Sequence, residues 1–219
     1  MTSLAERARS LKLRLVAMTD EQRGGDPLRL AASLPAGAWL ILRHYGDPDR
    51  SVLAIKLAKI CRARRLELLI AGDLGLALAV GAGLHLPEFQ ATQPAPRIRL
   101  WRKRGGGPLT VAAHGRLAVI RAAKLRADAA LLSPVFATAS HPGAKPLRLL
   151  ALRKLARRAQ VGIFALGGIT ADRLAGLRSA RIAGVAAVAA LSPAAPQEIR
   201  HAGEGGARTG RSAPARPPG

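Results

Sequence analysis

Short apolar runs alternate with amphipathic segments along most of the chain. Each run is bounded by residues typical of turns, as expected for parallel strands that are buried on both faces. The pattern predicts eight strands, at residues 13–18, 38–43, 66–71, 82–86, 109–113, 128–132, 161–166 and 183–188. It predicts helices between them, at residues 27–34, 50–64, 73–80, 115–126, 145–159 and 170–179.

Eight strands with interposed helices predict an α/β fold, a single (β/α)8 TIM barrel over residues 11–191. An open doubly wound sheet fits the same alternation, but no G-x-G-x-x-G motif follows the first strand to favour a dinucleotide-binding fold. Residues 87–108 form the weakest unit, because prolines and a glycine run leave little room for a full helix. Residues 192–219 are rich in Pro, Gly, Ala and Arg, a composition that cannot bury a core, so we expect a disordered basic tail.

The chain carries a formal net charge of +22 on 219 residues, with a pI of about 11.9. Such a charge indicates either nucleic-acid binding through counterion release or an arginine-rich solvated surface on a protein that handles phosphorylated substrates. The arginines are spread over predicted helices and loops rather than gathered in one motif, and aromatic residues, which would stack on bases, are only 3%. We therefore expect no specific nucleic-acid binding.

Cys61 is the one cysteine, which excludes an intramolecular disulfide and a multi-cysteine metal site. A reducing cytoplasm is the simplest location for such a chain. The opening segment MTSLAERARSLKLRLVAMTD has no uninterrupted apolar core of signal-peptide length. Because no uncharged apolar stretch of about 18 residues occurs, we expect no membrane span.

Polar residues gather where the predicted strands end, although the strands themselves are apolar. In a (β/α)8 barrel the loops after the carboxyl ends of the strands share one face and build the active site. The residues concerned are Asp20, Arg43, Asp73, Glu88 and His114. His85 lies inside its strand among apolar neighbours and is interpreted as a buried histidine bonded to the backbone.

Gly167 and Gly168 follow the seventh strand and precede a helix predicted to begin near Thr170. Glycines at such a turn let backbone N–H groups approach an anion at the N-terminus of a helix. The alternative is an ordinary strand–helix turn that needs glycine for its positive φ. Because the loops after strands 7 and 8 recurrently bind phosphate in these barrels, phosphate binding is the favoured interpretation.

Seven stretches, taken in order, resemble the motifs of the thiamine-phosphate synthase and thiazole tautomerase family. They are LVAMTD, LILRHY, LIAGD, AGLHLPE, VAAHG, DAALLSPVFATASHPG and FALGGIT with its following AGVAAV, and they span nearly all of residues 13–191. The resemblance implies a (β/α)8 barrel that binds a thiazole phosphate. Synthases of this family join it to a hydroxymethylpyrimidine pyrophosphate, releasing pyrophosphate with the help of Mg²⁺, whereas tautomerases isomerise the thiazole ring.

The resemblance assigns roles on the thiazole-phosphate side of the site. The loop after strand 6 closes over the active site in this family, and Thr138 and Ser140 match its phosphate-binding hydroxyls. His141 stands where a lysine is usual, so the loop is predicted to meet phosphate with a titratable cation. Gly167 and Gly168 match the rest of the phosphate site.

The pyrophosphate side departs from the family pattern. Asp73 matches the first metal-binding aspartate, but the second falls near Gln90, and Glu88 is the nearby carboxylate that would replace it at a Mg²⁺ site. Of the family's Gln-x-Arg-x-Lys after strand 2, only Arg43 is retained, with isoleucine and tyrosine at the other two positions. His114 matches the acid/base position of the tautomerase members.

The sequence leaves three hypotheses open. A synthase with a remodelled pyrophosphate end would use Arg43, Asp73, Glu88 and His141 for Mg²⁺-dependent coupling of two phosphorylated small molecules. A metal-independent thiazole tautomerase would use His114 as its acid/base. A non-catalytic barrel would bind a phosphorylated ligand or a polyanion through its charge. The order of the motifs favours the synthase.

Overall fold

Eight parallel strands close into a barrel in which each strand pairs with its neighbours in chain order and the last pairs with the first. The computed structural model describes residues 3–22, 25–92, 96–137, 145–178 and 180–188. The strands are β1 (Arg14–Met18), β2 (Trp39–Leu42), β3 (Glu67–Ala71), β4 (Gly83–Leu86), β5 (Leu109–Ala113), β6 (Ala129–Leu132), β7 (Gly162–Leu166) and β8 (Gly184–Ala187). Each agrees with its predicted bounds to within one residue, and the (β/α)8 barrel is confirmed.

Helices connect the strands around the outside of the barrel. They are α1 (Leu4–Ser10), α2 (Pro27–Ser33), α3 (Arg50–Arg64), α4 (Leu74–Val80), α5 (Glu88–Ala91), α6 (Pro96–Lys103), α7 (Arg116–Lys124), α8 (Leu149–Arg158) and α9 (Leu174–Arg178). All six predicted helices are present, although α8 and α9 begin later than predicted. Across the described ranges, no helix has the length and apolar character needed to cross a membrane. The predicted tail, residues 192–219, lies outside the described residues.

Helix α1 precedes the predicted start of the folded part. The Ser3 hydroxyl accepts the Glu6 N–H at 3.2 Å, and the Glu6 carboxylate accepts the Ser3 N–H at 2.8 Å, which caps the helix reciprocally. Leu4 and Ala8 are buried against the barrel. The predicted boundary at residue 11 is therefore too late, because two buried residues in one short helix are too few to reveal a helical period.

Residues 87–108 hold more helix than the sequence pattern predicted. Helix α5 makes about one turn, and Pro96 opens the longer α6, where the fixed φ of proline suits the first turn. Trp101 is buried, and Gly106 lies so close to its ring that a Cβ at this position would collide with it. Pro96 thus starts the helix, and Gly106 leaves room for the Trp101 ring. The prediction that this segment has little room for a full helix was wrong.

Side chains of the strands alternate between the barrel lumen and the layer under the helices. An apolar cluster fills the lumen, formed by Val16, Met18, Trp39, Ile41, Leu69, Ala71, Ala129, Leu131, Phe164 and Ala186. Trp39, the first residue of β2, stacks on Phe164 with 5.5 Å between the ring centroids. His85 is in register with Ala71 on one side and Thr110 on the other, so the lumen becomes polar towards the carboxyl ends of the strands.

Candidate active site

The loops after β1 and β2 are tied together at the carboxyl end of the barrel. Thr19 is buried, and its hydroxyl accepts the Arg43 N–H at 3.0 Å and bonds His44 Nδ1 at 2.9 Å. The Arg43 guanidinium lies 3.4 Å from an Asp20 carboxylate oxygen. Arg43 is also two residues beyond the lumen-facing Ile41. A permanent cation is therefore held at the mouth of the lumen by a partner on the neighbouring loop.

His85 lies in the lumen below this mouth. It is 4% exposed, and its Nδ1 is 2.8 Å from the Thr110 hydroxyl oxygen. Burial lowers the pKa of His85 to about 3, and the charge of Arg43 acts in the same direction, so the ring is neutral at neutral pH. The predicted burial is confirmed, but the polar partner is a threonine hydroxyl rather than the backbone.

Asp73, the predicted metal ligand, is the N-cap of α4. Its Oδ1 accepts the Leu76 N–H at 2.9 Å and so satisfies one of the first N–H groups of the helix. The preceding residue, Gly72, has a φ of +73°, and its carbonyl accepts from Gln90 Nε2 at 3.2 Å. A side chain at Gly72 would meet Gln90 and the Tyr45 ring at 3.4 Å. Glycine here satisfies both the left-handed turn and its close surroundings.

Arg50, the first residue of α3, is a candidate that sequence reasoning missed. Its Nη2 donates to the Ala71 carbonyl at 2.5 Å and to the Leu42 carbonyl at 3.4 Å, which are the last residues of β3 and β2. Its Nε is buried and has no hydrogen-bond partner among the described residues. The available signal was a cation in the first turn of a helix, where the helix dipole disfavours positive charge.

Tyr45 lies against Arg50, at a position where the family usually has lysine. The Arg50 guanidinium is 5.2 Å from the centroid of the Tyr45 ring, a cation–π contact. Burial raises the pKa of the Tyr45 phenol, and the charges of Arg43 and Arg50 oppose this rise only in part. The phenol is therefore neutral, and the positive charge in this corner comes from the two arginines.

A cavity of about 600 Å³ lies beside Asp73. Its walls include Gly72, Asp73, Leu84, Leu86, Gln90 and Arg97. Leu84 and Leu86 belong to the apolar layer under the helices, whereas His85 between them faces the lumen. The cavity therefore lies outside the barrel wall, and it reaches the candidate site only through Asp73 and its neighbours.

The Mg²⁺ that the family resemblance implies can be tested against the donors at this end. Within the described ranges, no three His, Cys, Asp or Glu residues are grouped so that they could hold a metal ion. Asp73 supplies one carboxylate, with one of its oxygens engaged in capping α4. Mg²⁺ bound with a substrate phosphate requires only one or two protein carboxylates. The donor set fits an ion held largely by substrate.

Glu88, predicted as the second metal ligand, contacts His114 instead. One Glu88 oxygen accepts the His114 backbone N–H at 2.9 Å and lies 2.6 Å from His114 Nδ1. A carboxylate can only accept, so Nδ1 carries the hydrogen of this contact, and Nε2 is the ring nitrogen that takes no part in it. Glu88 is the first residue of α5, which follows β4, and His114 lies in the loop after β5. Together they form an oriented acid–base pair at the lumen mouth.

The Gly167–Gly168 turn lies directly under the loop after β6. The Phe136 N–H donates to the Gly167 carbonyl at 3.1 Å. Both glycines have positive φ, +92° and +63°, and a Cβ at Gly168 would collide with the Ala137 carbonyl. Positive φ and the close approach of this loop are enough to require glycine here. Phosphate binding at the turn stays a prediction.

The helix after this turn differs from the prediction. Helix α9 begins at Leu174 rather than near Thr170, and the Arg173 N–H donates to the Thr170 carbonyl within a turn that precedes it. Gly176 inside the helix has low helix propensity, which helps to keep the helix short. Arg173 Nη1 donates to the Gly168 carbonyl at 2.7 Å. The segment before α9 therefore places a cation, rather than the first turn of a helix, beside the Gly167–Gly168 turn.

Three of the predicted phosphate-binding residues, Thr138, Ser140 and His141, lie outside the described residues. The site that the structure does describe brings Arg43, Asp73, Glu88, His114 and the two glycines to the carboxyl end of one barrel.

Comparisons with known proteins place this geometry in context. The sequence profile described as thiamine monophosphate synthase matches residues 15–191. A provisionally named thiamine-phosphate synthase 2 of Aquifex aeolicus is 35% identical over 169 residues, which cover 74% of this chain and 88% of the relative. A thiamine-phosphate synthase of Herpetosiphon aurantiacus is 32% identical over 177 residues, covering 77% and 84%. The structure of a thiamine phosphate pyrophosphorylase of Pyrococcus furiosus superposes with a TM-score of 0.66 at 22% identity, covering 81% of this chain and 86% of that one.

Proposed function

The chain belongs to the thiamine monophosphate synthase family, and we propose that it is a transferase of thiamine biosynthesis that joins a hydroxymethylpyrimidine pyrophosphate to a thiazole phosphate. The observation that carries the proposal is the position of Arg43 and Asp73. Both lie at the carboxyl end of the barrel, on the loops where the family handles pyrophosphate and metal.

The chemistry defines what this end of the barrel has to do. The C–O bond between the pyrimidine methylene and pyrophosphate breaks, and its electron pair leaves with the pyrophosphate. The lone pair of the thiazole nitrogen forms the new C–N bond, which gives thiamine phosphate. Negative charge therefore grows on the leaving pyrophosphate, and fixed positive charge beside it lowers the barrier.

Two arginines supply that charge, Arg43, which the family pattern retains, and Arg50. Arg43 is held against Asp20 at 3.4 Å, and Arg50 is anchored to the Ala71 carbonyl at 2.5 Å. Both act on Tyr45, where they oppose the rise of its pKa, so the two guanidinium groups share one corner of the site. A guanidinium donates parallel hydrogen bonds to phosphate oxygens and stays charged at all relevant pH values.

In this proposal Asp73 would hold Mg²⁺, together with oxygens of the pyrophosphate. When bound, the ion would neutralise part of the leaving-group charge. Glu88 has a different role, because its Oε2 already accepts from the His114 N–H and lies beside His114 Nδ1. It orients the histidine, and the protein's own share of the metal site is one carboxylate.

The Asp73 assignment can be tested without unfolding α4. Asn and Ser cap helices about as well as Asp, so Asp73→Asn and Asp73→Ser keep the cap and remove the charged ligand. We expect both variants to lose about 100-fold in kcat/KM for coupling, with melting temperatures near that of the wild type. Wild-type turnover in both variants would remove Asp73 from the reaction.

A second candidate activity is isomerisation of a thiazole phosphate without metal. The Glu88–His114 contact at 2.6 Å favours it, because an oriented imidazole is suited to move a proton on a ring carbon. Turnover of an isomeric thiazole phosphate, followed by NMR in EDTA, tests this activity. If the wild type isomerises the thiazole phosphate, we expect His114→Gln to abolish that activity. No turnover in the wild type would exclude isomerisation and leave coupling as the one proposed reaction.

The proposal includes phosphorylated small-molecule substrates and a cytoplasmic location. Cys61 is buried, and burial raises the pKa of its thiol to about 11, which makes the thiol unreactive. Fractionation of expressing cells, with thiamine phosphate formation as the assay, tests the location. Activity confined to a membrane or extracellular fraction would contradict it.

A further inference from the structure

The basic residues that the sequence spreads along the chain gather at one end of the barrel. All strands of a (β/α)8 barrel point the same way and the helices run back, so the helix C-termini share the face at the amino ends of the strands. Basic residues occupy the last turns of α1, α3, α6, α7, α8 and α9. We call these last turns, with the loops that lead from them into the strands, the amino-terminal face.

The loops of the amino-terminal face add further cations. Lys12, Arg65, Arg126 and Arg181 all have left-handed backbone, with φ between +53° and +57°, and each precedes a strand. All four are exposed. Glycine and asparagine adopt this conformation most readily. The local backbone conformation therefore does not explain why all four positions hold a basic residue.

Carboxylates on this face are few among the described residues. Glu6 caps its own helix, and Glu67 begins β3. Asp128 accepts the Leu109 N–H at 2.7 Å and pairs with Arg102 at 3.2 Å. Cations at the C-terminus of a helix are favoured by its dipole, and Arg65 is itself the C-cap of α3. The face therefore carries a positive potential that its own acids do not balance.

The amino-terminal face is concave near α1. A cavity of about 470 Å³ lies there, with Arg9, Lys12, Arg14, Trp39 and Asp128 among its lining residues. The Arg14 guanidinium covers the Trp39 ring at 4.9 Å, so a cation and not an aromatic surface faces the opening. With Asp128 already paired to Arg102, the cavity offers positive charge to a phosphate group that enters it.

The chemistry of the face favours phosphate over a lipid surface. Arginine predominates among its cations, and a guanidinium binds phosphate oxygens through two parallel hydrogen bonds. A membrane-binding face also needs exposed apolar side chains that insert between lipids. Within the described residues, Leu100 in the last turn of α6 is the one large exposed apolar side chain on the amino-terminal face, and the loops of that face carry none.

We propose that the amino-terminal face binds the phosphodiester backbone of a nucleic acid without reading its sequence. The partner is a single- or double-stranded polyanion that lies across the barrel floor, on the opposite end from the candidate active site. Affinity comes from the release of counterions from the nucleic acid, so it falls steeply with salt. Stacking on exposed aromatic residues is not needed for this mode of binding.

Fluorescence anisotropy of the full chain with labelled oligonucleotides tests the proposal. Three probes of one length, a single-stranded RNA, a single-stranded DNA and a duplex DNA, are titrated between about 50 and about 200 mM NaCl. We expect binding of at least one probe with a dissociation constant of about 1–100 µM and a linear fall of log affinity with log salt. The probe that binds most tightly identifies RNA or DNA as the source of the phosphodiester.

A matched pair of triple variants locates the binding surface. Arg65→Asn/Arg126→Asn/Arg181→Asn removes three charges from the amino-terminal face, with asparagine chosen because it tolerates left-handed backbone. Arg29→Gln/Arg116→Gln/Arg148→Asn removes three elsewhere, and Arg148 has the same left-handed φ of +55°. We expect the first variant to reduce the salt slope by about 2 to 3 and the affinity about tenfold or more, and the control to change both little.

Three outcomes would overturn the proposal. One is no anisotropy change for any probe at the lowest salt. Another is an equal loss in the two triple variants, which would reduce the effect to net charge. The third is loss of binding in Arg200→Gln/Arg208→Gln/Arg211→Gln/Arg216→Gln with none in the amino-terminal variant, which would assign binding to residues 192–219. Coupling activity is measured in parallel, so failure of this proposal is separate from failure of the proposed function.

Discussion

The two ends of the barrel use arginine in different ways. At the carboxyl end, Arg43 is fixed by Asp20 and Arg50 by the Ala71 carbonyl, so each charge has a defined position. At the amino end, the cations of the four left-handed loop positions are exposed and face few carboxylates. A held charge stabilises one transition state in one geometry, whereas an array of solvated charges attracts any polyanion.

The difference follows from barrel topology. The loops after the strands contain Asp20, Glu21, Asp26, Asp47, Asp49, Asp73 and Asp172, and Glu88 begins α5 just after β4. Arg43 therefore finds an acidic partner at that end. Loops before the strands receive the helix C-termini, where basic residues are locally favourable. The same residue type therefore has two functions according to the end of the barrel at which it lies.

The largest expected effect is a difference in coupling activity between substitutions at the two ends of α3. Arg50 opens α3 and Arg64 ends it, and both donate to backbone carbonyls, Arg50 to Ala71 and Arg64 to Leu34 at 3.3 Å. We expect Arg50→Gln to lower kcat/KM for coupling by about 100-fold or more, because a fixed charge beside the leaving group is lost. Arg64→Gln, the matched control, keeps wild-type kinetics. Equal losses in the two variants would show that Arg50 acts through stability of the helix.

A second prediction concerns the lumen between the two ends. The pKa of His85 is 6.5 in the unfolded chain and about 3 in the folded one. Between these values the unfolded state binds more protons, so the free energy of unfolding falls as pH falls, by up to about 1.4 kcal/mol for each pH unit. His85→Gln, which cannot titrate, should reduce this dependence. Denaturant unfolding from pH 7 to pH 4 measures it, and identical slopes in wild type and variant would contradict the assignment.

Glu88→Gln tests the pair at the lumen mouth. The amide can still accept from the His114 N–H, but it does not fix the hydrogen on Nδ1. We expect kcat for isomerisation of a thiazole phosphate to fall about tenfold with little change in KM, because orientation of the histidine rather than binding is lost. NMR of ¹⁵N-labelled histidine should show one tautomer of His114, with its hydrogen on Nδ1, in the wild type and a mixture of tautomers in the variant. A single tautomer in both would leave Glu88 without this positioning role.

The smallest expected effect is that of the amino-terminal face on coupling at the opposite end of the barrel. Arg65→Asn/Arg126→Asn/Arg181→Asn should leave kcat/KM for coupling within about twofold of wild type, since surface charges far from the chemistry contribute only through screened fields. Kinetics at two salt concentrations check this. A large loss of activity would mean that the two ends of the barrel are coupled.

Much of the barrel could be predicted from local pattern. The strands are short apolar runs between turn residues, and the loops after them carry the polar residues, which is why Arg43, Asp73 and His114 could be assigned to one face. The short helices α1 and α6 were missed, because their buried residues are too few to show a period and Pro96 at the start of α6 resembles loop sequence.

The site contacts depend on tertiary structure that no local pattern contains. Glu88 and His114 are 26 residues apart, and only the pairing of β4 with β5 brings them to 2.6 Å. Arg50 looked like the start of an amphipathic helix until its contacts with the ends of β2 and β3 were known. The basic residues looked scattered because helical segments separate them in sequence, and the parallel helices then collect them on one face.

The central claim is tested most directly by the wild-type chain with both precursors. Hydroxymethylpyrimidine pyrophosphate and thiazole phosphate are incubated with Mg²⁺ and then with EDTA, and thiamine phosphate is measured by chromatography. We expect product with Mg²⁺, released together with an equal amount of pyrophosphate, and a large loss of rate in EDTA. No product under either condition, while thiazole phosphate still binds the folded protein, would contradict the synthase assignment.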